Sequence, residues 1–260
     1  MIEELINWLR EVCGSYEVQP HAIYRKTGAA STEWPLTVNS SDDLLVKLAE
    51  RGHLLPLPQE PAALANILEV SIADHVLEKL RELSGAIGVR GGERGYPDVE
   101  VSADVFGGGP YAVDIKVARR SKSRRQTDSR ITLYTGNTYF RYPDLKWPST
   151  LRSFNQYKKH LTLIALYTLD VTTVSRITDI EVVVHETWRV ASKQRSSTTR
   201  EYLGAVVDIE ALRSGVGEFA TKEEFYKYWR AYPFKTGKTV EKQLQKLIAA
   251  RVAGTPSSNN

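Results

Sequence analysis

The sequence predicts a mixed α/β fold, and three patterns in it lead to that prediction. Apolar and polar residues alternate from Val99 to Val105 and again from Tyr111 to Ala118, which is the period of half-buried strands. The segment 107–110 (Gly-Gly-Gly-Pro) lies between them and cannot continue a strand, so the two strands form a hairpin around a turn. Apolar residues at helical spacing over 2–12 and 61–83 predict two amphipathic helices before this hairpin.

The rest of the sequence also predicts a mixture of helices and strands. Residues 14–58 contain four prolines among short apolar pieces and are expected to be irregular, and Gly85–Gly95 is expected to be a glycine-rich loop. After the hairpin the patterns predict strands at 131–134, 180–188 and 205–209, and helices at 148–169, 223–232 and 239–252, the second of them after a Thr221–Glu224 capping box. We expect one domain over residues 1–254 and a disordered tail over 255–260, because no repeat or linker divides these elements.

Composition limits the class of protein. The chain has 260 residues, of which 42% are hydrophobic and 25% charged, as in an ordinary globular protein. Its single cysteine, Cys13, excludes an intramolecular disulfide and a cysteine-based zinc site. No apolar run approaches the ~18 residues of a membrane span, and the acidic start Met1–Glu4 is unlike a signal peptide, so we expect a cytoplasmic protein without a membrane partner.

Three residues of the hairpin carry chemistry. Asp114 and Lys116 point to the same face of the second strand, and the pairing of the strands brings Asp98 beside them. Two carboxylates a few ångströms apart repel by roughly 4 kcal/mol at an effective dielectric near 20, so a cation is their natural partner. Hard oxygen ligands without nearby His or Cys suit Mg²⁺, and a lysine beside the metal can hold an attacking water or balance charge developing on a phosphate.

This pattern therefore favours metal-assisted hydrolysis of a phosphodiester. The alternative is a proline-containing turn beside a solvated, salt-bridged Asp-x-Lys pair, which is common on edge strands. Glu69 lies at the border of the apolar stripe of the helix at 61–83. It is a candidate third carboxylate of the same site, and the alternative is a paired acid at the edge of an apolar face.

Two basic segments are candidates for contact with nucleic acid, although charged loops are more often only solvated. The run after the hairpin suits phosphate groups, and the hydroxyl-rich tip at 193–200 could enter a DNA groove. The candidate DNA-binding residues are Arg90, Arg94, Arg119, Arg120, Lys122, Arg124, Arg125, Ser197, Thr198, Thr199 and Arg200.

Tyr96-Pro97-Asp98 and Asp114-Ile115-Lys116 together resemble the motif of type II restriction endonucleases of the PD-(D/E)xK superfamily, and in particular those of the EcoRV type. The intervals from Asp98 to Asp114 and from Glu69 to Asp98 are those of the EcoRV type as well. The segment at 217–232 adds to the resemblance, which extends over roughly residues 55–234.

The resemblance implies a restriction-endonuclease-like fold with a central mixed β-sheet flanked by helices. It also implies a homodimer that cuts both strands of a palindromic DNA duplex with Mg²⁺, and a cognate DNA methyltransferase acting on the same site in the cell. Asp98 and Asp114 would be metal ligands, Glu69 an accessory ligand, and Lys116 the amine that stabilises the water or the developing charge. The tip Ser196–Arg200 occupies the place of the base-reading loop but lacks that loop's Gly and Asn, so the recognition sequence does not carry over.

Two other functions stay open at this point. One is a repair or structure-selective nuclease of the same fold. Such nucleases usually carry a helicase or accessory domain, and none is visible within these 260 residues. The other is a DNA-binding protein that has lost catalysis, against which stands the complete set of two acids and a lysine.

Overall fold

The structure is a computed structural model that describes residues 2–18, 39–43, 61–92, 95–170, 172 and 176–253. Most of the segment expected to be irregular, 14–58, lies outside the described residues, as do Arg94 and the predicted tail at 255–260.

Five α-helices and eight β-strands are described over their whole length, with short 3₁₀ turns and a π-helical turn at Gly136–Phe140 between them. The helices are α1 Ile2–Gly14, α2 Pro61–Arg81, α3 Ile209–Ser214, α4 Lys222–Ala231 and α5 Lys238–Ala253. The strands are β1 Ile87–Arg90, β2 Val99–Ala103, β3 Gly108–Arg119, β4 Thr132–Thr135, β5 Lys159–Leu169, β6 Ile177–Glu186, β7 Ala191–Arg195 and β8 Tyr202–Ala205. None of the helices in this part of the chain is long and apolar enough to cross a membrane.

The central sheet has the strand order β1-β2-β3-β5-β6. Strands β3 and β5 run parallel, and the other neighbours run antiparallel, so the sheet is mixed. Helices α1 and α2 pack on one face. The second sheet, β4-β8-β7, and helices α3 and α4 pack on the other. The predicted fold, a mixed α/β domain with a central mixed sheet flanked by helices, is confirmed.

The predicted hairpin is strands β2 and β3, with Val99 opposite Val113. Its turn differs from the prediction, because Asp104–Phe106 forms a 3₁₀ turn that ends at Gly107 with φ 83°. Val105 lies in this turn and is 59% exposed, so it does not continue the buried face of the strand as the alternation suggested. Along β3 the alternation holds, since Val113 and Ile115 are buried against the helices.

The predicted helix at 148–169 is wrong. Residues 154–156 form a 3₁₀ turn, and β5 follows as a central strand of the sheet. Leu161 and Leu163 pack towards α1 and α2, whereas Ile164 and Leu166 pack towards the second sheet. A strand covered on both faces is apolar at successive positions, so its sequence does not alternate and is easily taken for a buried helix.

Two smaller predictions also need correction. The glycine-rich segment Gly85–Gly95 contains the edge strand β1 rather than being entirely a loop. The last strand is β8 rather than 205–209, because Asp208 turns the chain into α3, where its side chain accepts a hydrogen bond of 2.8 Å from the Ala211 N–H. The predicted helices at both ends and the capped helix α4 lie within a few residues of their predicted limits.

Candidate active site at the open edge of strand β3

The candidate site lies where the pairing of β3 with β2 ends. Beyond the Val99–Val113 pair, the outward N–H groups of β3 on this edge have no strand beside them. The Ile115 N–H donates instead to Asp98 Oδ2 at 2.6 Å, and the Val117 N–H points to Glu69 Oε1 at 3.4 Å. Two carboxylates therefore replace the missing strand and satisfy backbone groups that would otherwise lack partners.

Lys116 joins the two aspartates. Its Nζ lies 2.8 Å from Asp114 Oδ2 and 3.9 Å from Asp98 Oδ2. The amine also donates to the Ile115 carbonyl oxygen at 3.1 Å, which fixes its position over the strand. The structure thus brings together Asp98, Asp114 and Lys116, the three residues that the sequence placed at one end of the hairpin.

The charges in this cluster are unbalanced, since three carboxylates face one amine. Burial raises the pKa of Asp114 to about 8; the charges of Asp98 and Glu69 add to this rise and that of Lys116 opposes it. Burial also raises the pKa of Glu69. For Lys116, burial lowers the pKa, but the three neighbouring carboxylates outweigh it and the net shift is upward. Excess negative charge in a partly dry site is what a cation would relieve.

The donor set fits a hard divalent cation. Asp114 Oδ2 is buried and accepts no aligned hydrogen bond, although the Lys116 amine lies close to it. Asp98 and Asp114 offer carboxylate oxygens, and Mg²⁺ commonly takes one or two such groups with waters and phosphate oxygens. Among the described residues no group of three or more His, Cys, Asp or Glu side chains is arranged to hold a metal. Glu69 is engaged with the backbone of β3, and its part as an accessory ligand stays a prediction.

An aromatic cluster behind Asp114 was not anticipated from the sequence. Tyr96, two residues before Asp98, is 3% exposed and shares a hydrogen bond of 2.5 Å with Nδ1 of His160. Its ring stacks on Tyr139 with the centroids 5.1 Å apart. Burial, together with the charge of Asp114, raises the pKa of Tyr139 to about 12. These rings keep water from one side of Asp114 and anchor the segment that carries Asp98.

Several of the candidate DNA-binding arginines are engaged within the fold. Arg90 on β1 lies 3.3 Å from Asp74, and Arg119 at the end of β3 pairs with Asp128. The Arg120 side chain is only 6% exposed and lies 2.7 Å from Glu181.

The turn after β3 is more open. Arg124 has a positive φ of 58° and lies 3.4 Å from Asp179 while 63% of its side chain is exposed. Lys122 and Arg125 are exposed, and within the described chain neither forms an ion pair. Lys122 and Arg125 are therefore available at the surface, and the paired Arg124 lies beside them, immediately after the strand that carries Asp114 and Lys116.

The second basic segment is the tip between β7 and β8. The Ser197 hydroxyl accepts hydrogen bonds of 3.2 Å from the N–H groups of Thr199 and Arg200 and so holds the tip in a compact turn. The Arg200 guanidinium lies 5.8 Å from the centre of the Tyr202 ring. Thr198 and Arg200 are both at the surface of this tip.

No individual curated protein matches the chain. The family model described as restriction endonuclease EcoRV matches residues 31–250, which is well over half of the sequence. The matched range includes Glu69, Asp98, Asp114 and Lys116 as well as both basic segments. The chain therefore belongs to the EcoRV restriction endonuclease family.

Proposed function

We propose that the protein is a type II endonuclease that hydrolyses phosphodiester bonds of double-stranded DNA at a short palindromic sequence, with Mg²⁺ as cofactor. The observation that carries this proposal is the single amine of Lys116 in contact with both Asp98 and Asp114 at the open edge of β3. Family membership supports DNA as the substrate, and the oxygen donors support a hard divalent cation.

Asp98 and Asp114 would hold the cation, with Glu69 as an accessory group. Bound there, Mg²⁺ supplies positive charge that stabilises the negative charge developing on the phosphate. The Lys116 amine holds the attacking water or stabilises the negative charge that develops on the phosphate. In the reaction the water oxygen bonds to phosphorus and gives up a proton to solvent, one P–O bond to a sugar breaks, and the released sugar oxygen takes up a proton from solvent. Tyr96 and Tyr139 exclude water behind Asp114, which strengthens every charge interaction in front of it.

A homodimer suits this reaction. Duplex DNA has two antiparallel strands, so two copies of the site related by a two-fold axis face equivalent phosphates, and their recognition sequence is then palindromic. A cell that contains such an enzyme must protect its own DNA, for which we propose a cognate methyltransferase acting on the same sequence.

The two basic segments are assigned different contacts. The run at 119–125 has charge without amides, which suits phosphates; Lys122 and Arg125 are free to make such contacts, while Arg119, Arg120 and Arg124 add positive charge from their ion pairs. Ser197, Thr198, Thr199 and Arg200 combine hydroxyls with a guanidinium that can bind a guanine edge, which suits base reading. Arg90 and Arg94 precede Asp98, and we expect this segment to approach the minor groove, as the family resemblance implies.

The proposal is tested by digesting a long DNA of known sequence with Mg²⁺ and sequencing the new ends. Ends that all fall at one short palindrome support the proposal. Ends at unrelated positions, or only at nicks and branches, favour a structure-selective nuclease instead. Asp114→Asn is the control, and cutting at the same sites by this variant means that a contaminant produced the ends. DNA binding without cutting in Mg²⁺ would indicate a binding protein that has lost catalysis.

A further inference from the structure

A second basic feature lies away from the aspartates, at the end of β3 and β5 nearest the hairpin turn. A groove of about 510 Å³ opens there between the turn at 154–156 and helix α4. Three cations line it: Lys158 just before β5, Lys222 at the start of α4, and Arg230 near the end of that helix.

These cations lack acidic partners. The Lys222 amine and the Arg230 guanidinium lie 5.6 Å and 4.6 Å from the centre of the same ring, that of Tyr226. None of the three cations forms an ion pair within the described chain. Glu223 is the one carboxylate among the described residues that line the groove, and it is exposed at the surface of α4. Two like charges near one ring repel each other, and a bound anion that contacts both reduces that cost.

The floor of the groove is rigid and neutral. His160 is 9% exposed and is held by its hydrogen bond to Tyr96. Burial lowers the pKa of His160 to about 3, and the charges of Lys222 and Arg230 contribute to the decrease. The imidazole therefore stays uncharged at physiological pH, and the positive field of the groove comes from its rim.

The register of the sheet gives the distance to the candidate active site. His160 lies opposite Ala112 and Thr162 lies opposite Asp114, so Lys158 is four residues behind the level of Asp114. At about 3.3 Å per residue this is ~13 Å along the strands. For a duplex whose axis runs along β3 and β5, with a rise of about 3.4 Å per nucleotide on each strand, ~13 Å corresponds to about four nucleotides.

We propose that this groove binds a phosphate of the DNA backbone about four nucleotides from the bond that is cut. The proposal rests on the proposed function for the presence of DNA. The choice of phosphate rests on the three cations without acidic partners, of which Lys158 is held at the rim by donating a hydrogen bond of 2.8 Å to the Gly107 carbonyl oxygen. A contact to a phosphate does not depend on the base, so it raises the affinity for DNA and aligns the duplex equally on every sequence.

The test compares Lys222→Gln/Arg230→Gln with Lys227→Gln, which removes a cation from the outer face of the same helix. Duplex binding is measured at several salt concentrations with Ca²⁺ in place of Mg²⁺. The double variant is expected to lower the salt slope by about 0.9, the value for one lost phosphate contact, equally on cognate and unrelated duplexes. The difference from wild type is expected to vanish on a duplex that extends only two base pairs beyond the cut on each side. A third measurement is the thermal stabilisation of each protein by inorganic pyrophosphate.

A double variant whose salt slope equals that of Lys227→Gln overturns the proposal, as does a difference that persists on the short duplex. Pyrophosphate that stabilises the wild type but not the double variant, with duplex binding unchanged, reassigns the groove to free phosphates and also overturns it. The proposed function fails separately, when wild-type protein binds duplex but does not cut it in Mg²⁺; the slope difference still decides the groove in that case. Wild-type protein that binds no duplex overturns both.

Discussion

Asp98 has two roles in the structure that a pair of substitutions can separate. Its Oδ2 accepts the Ile115 N–H at 2.6 Å, and its charge lies 3.9 Å from the Lys116 amine. Asp98→Asn keeps an oxygen for the backbone hydrogen bond and removes the charge. Asp98→Ala removes both. We expect both variants to lose DNA cutting, and only Asp98→Ala to lose stability.

The magnitudes follow from these contacts. A hydrogen bond to a charged group contributes about 1.5–3 kcal/mol, and Asp98→Ala also leaves the Ile115 N–H unpaired, so we expect a loss of that size in the free energy of unfolding. In Asp98→Asn the attraction to Lys116, roughly 4 kcal/mol at an effective dielectric near 20, is lost together with the repulsion from Asp114 and Glu69. These terms oppose each other, so we expect a change within about 1 kcal/mol.

The assay combines urea unfolding with cutting of a duplex in Mg²⁺. Asp104→Asn, at the exposed hairpin turn, is the matched control and should change neither. Substantial cutting by Asp98→Asn would refute the role of the charge. If Asp98→Ala is as stable as Asp98→Asn, the carboxylate does not stand in for the missing strand.

The remaining predictions concern the metal and the other site residues. Excess EDTA should abolish cutting, and Ca²⁺ should allow binding without cutting, as gel assays of one duplex would show; undiminished cutting in EDTA would remove the metal from the mechanism. Lys116→Ala should lower the single-turnover rate by about 10²–10³-fold, and Lys116→Arg should not restore it, because a planar guanidinium differs from an ammonium in reach and hydration. Glu69→Gln, which can still accept the Val117 N–H, should retain more activity than either aspartate variant in the same assay; loss as complete as theirs would make Glu69 a full partner in the chemistry. In titrations with Ca²⁺, Arg125→Ala should weaken binding to all duplexes alike, whereas Arg200→Ala should reduce discrimination against single mismatches by about 1–3 kcal/mol; equal losses on every duplex would make the tip a second backbone contact.

The sequence predicts the candidate site better than it predicts the sheet around it. Asp98, Asp114 and Lys116 belong to one hairpin, so their meeting depends only on the two-residue period and the position of the turn. The sequence of strand β5 predicts a helix instead, because the environment that makes it a strand is set by β3 and β6, and neither strand is contiguous with β5 in sequence. For the same reason the hydrogen bond between Tyr96 and His160, 64 residues apart, could not be anticipated: it exists only because β5 lies parallel to β3.

The open edge of β3 explains why this hairpin can hold a reactive site at all. Pro97 has no N–H to donate, so β2 cannot extend its ladder in that direction beyond Val99. The main chain of Asp98 is nevertheless fixed, because its carbonyl oxygen accepts the Gly91 N–H at 2.8 Å. The carboxylate is thus free to turn towards β3, where a strand would have placed a backbone carbonyl. If β2 continued to pair with β3, the sheet would be more stable, but the backbone of β2 would occupy the position of the Asp98 carboxylate. The same N–H groups of β3 can therefore either extend the sheet or hold the carboxylate of the candidate site.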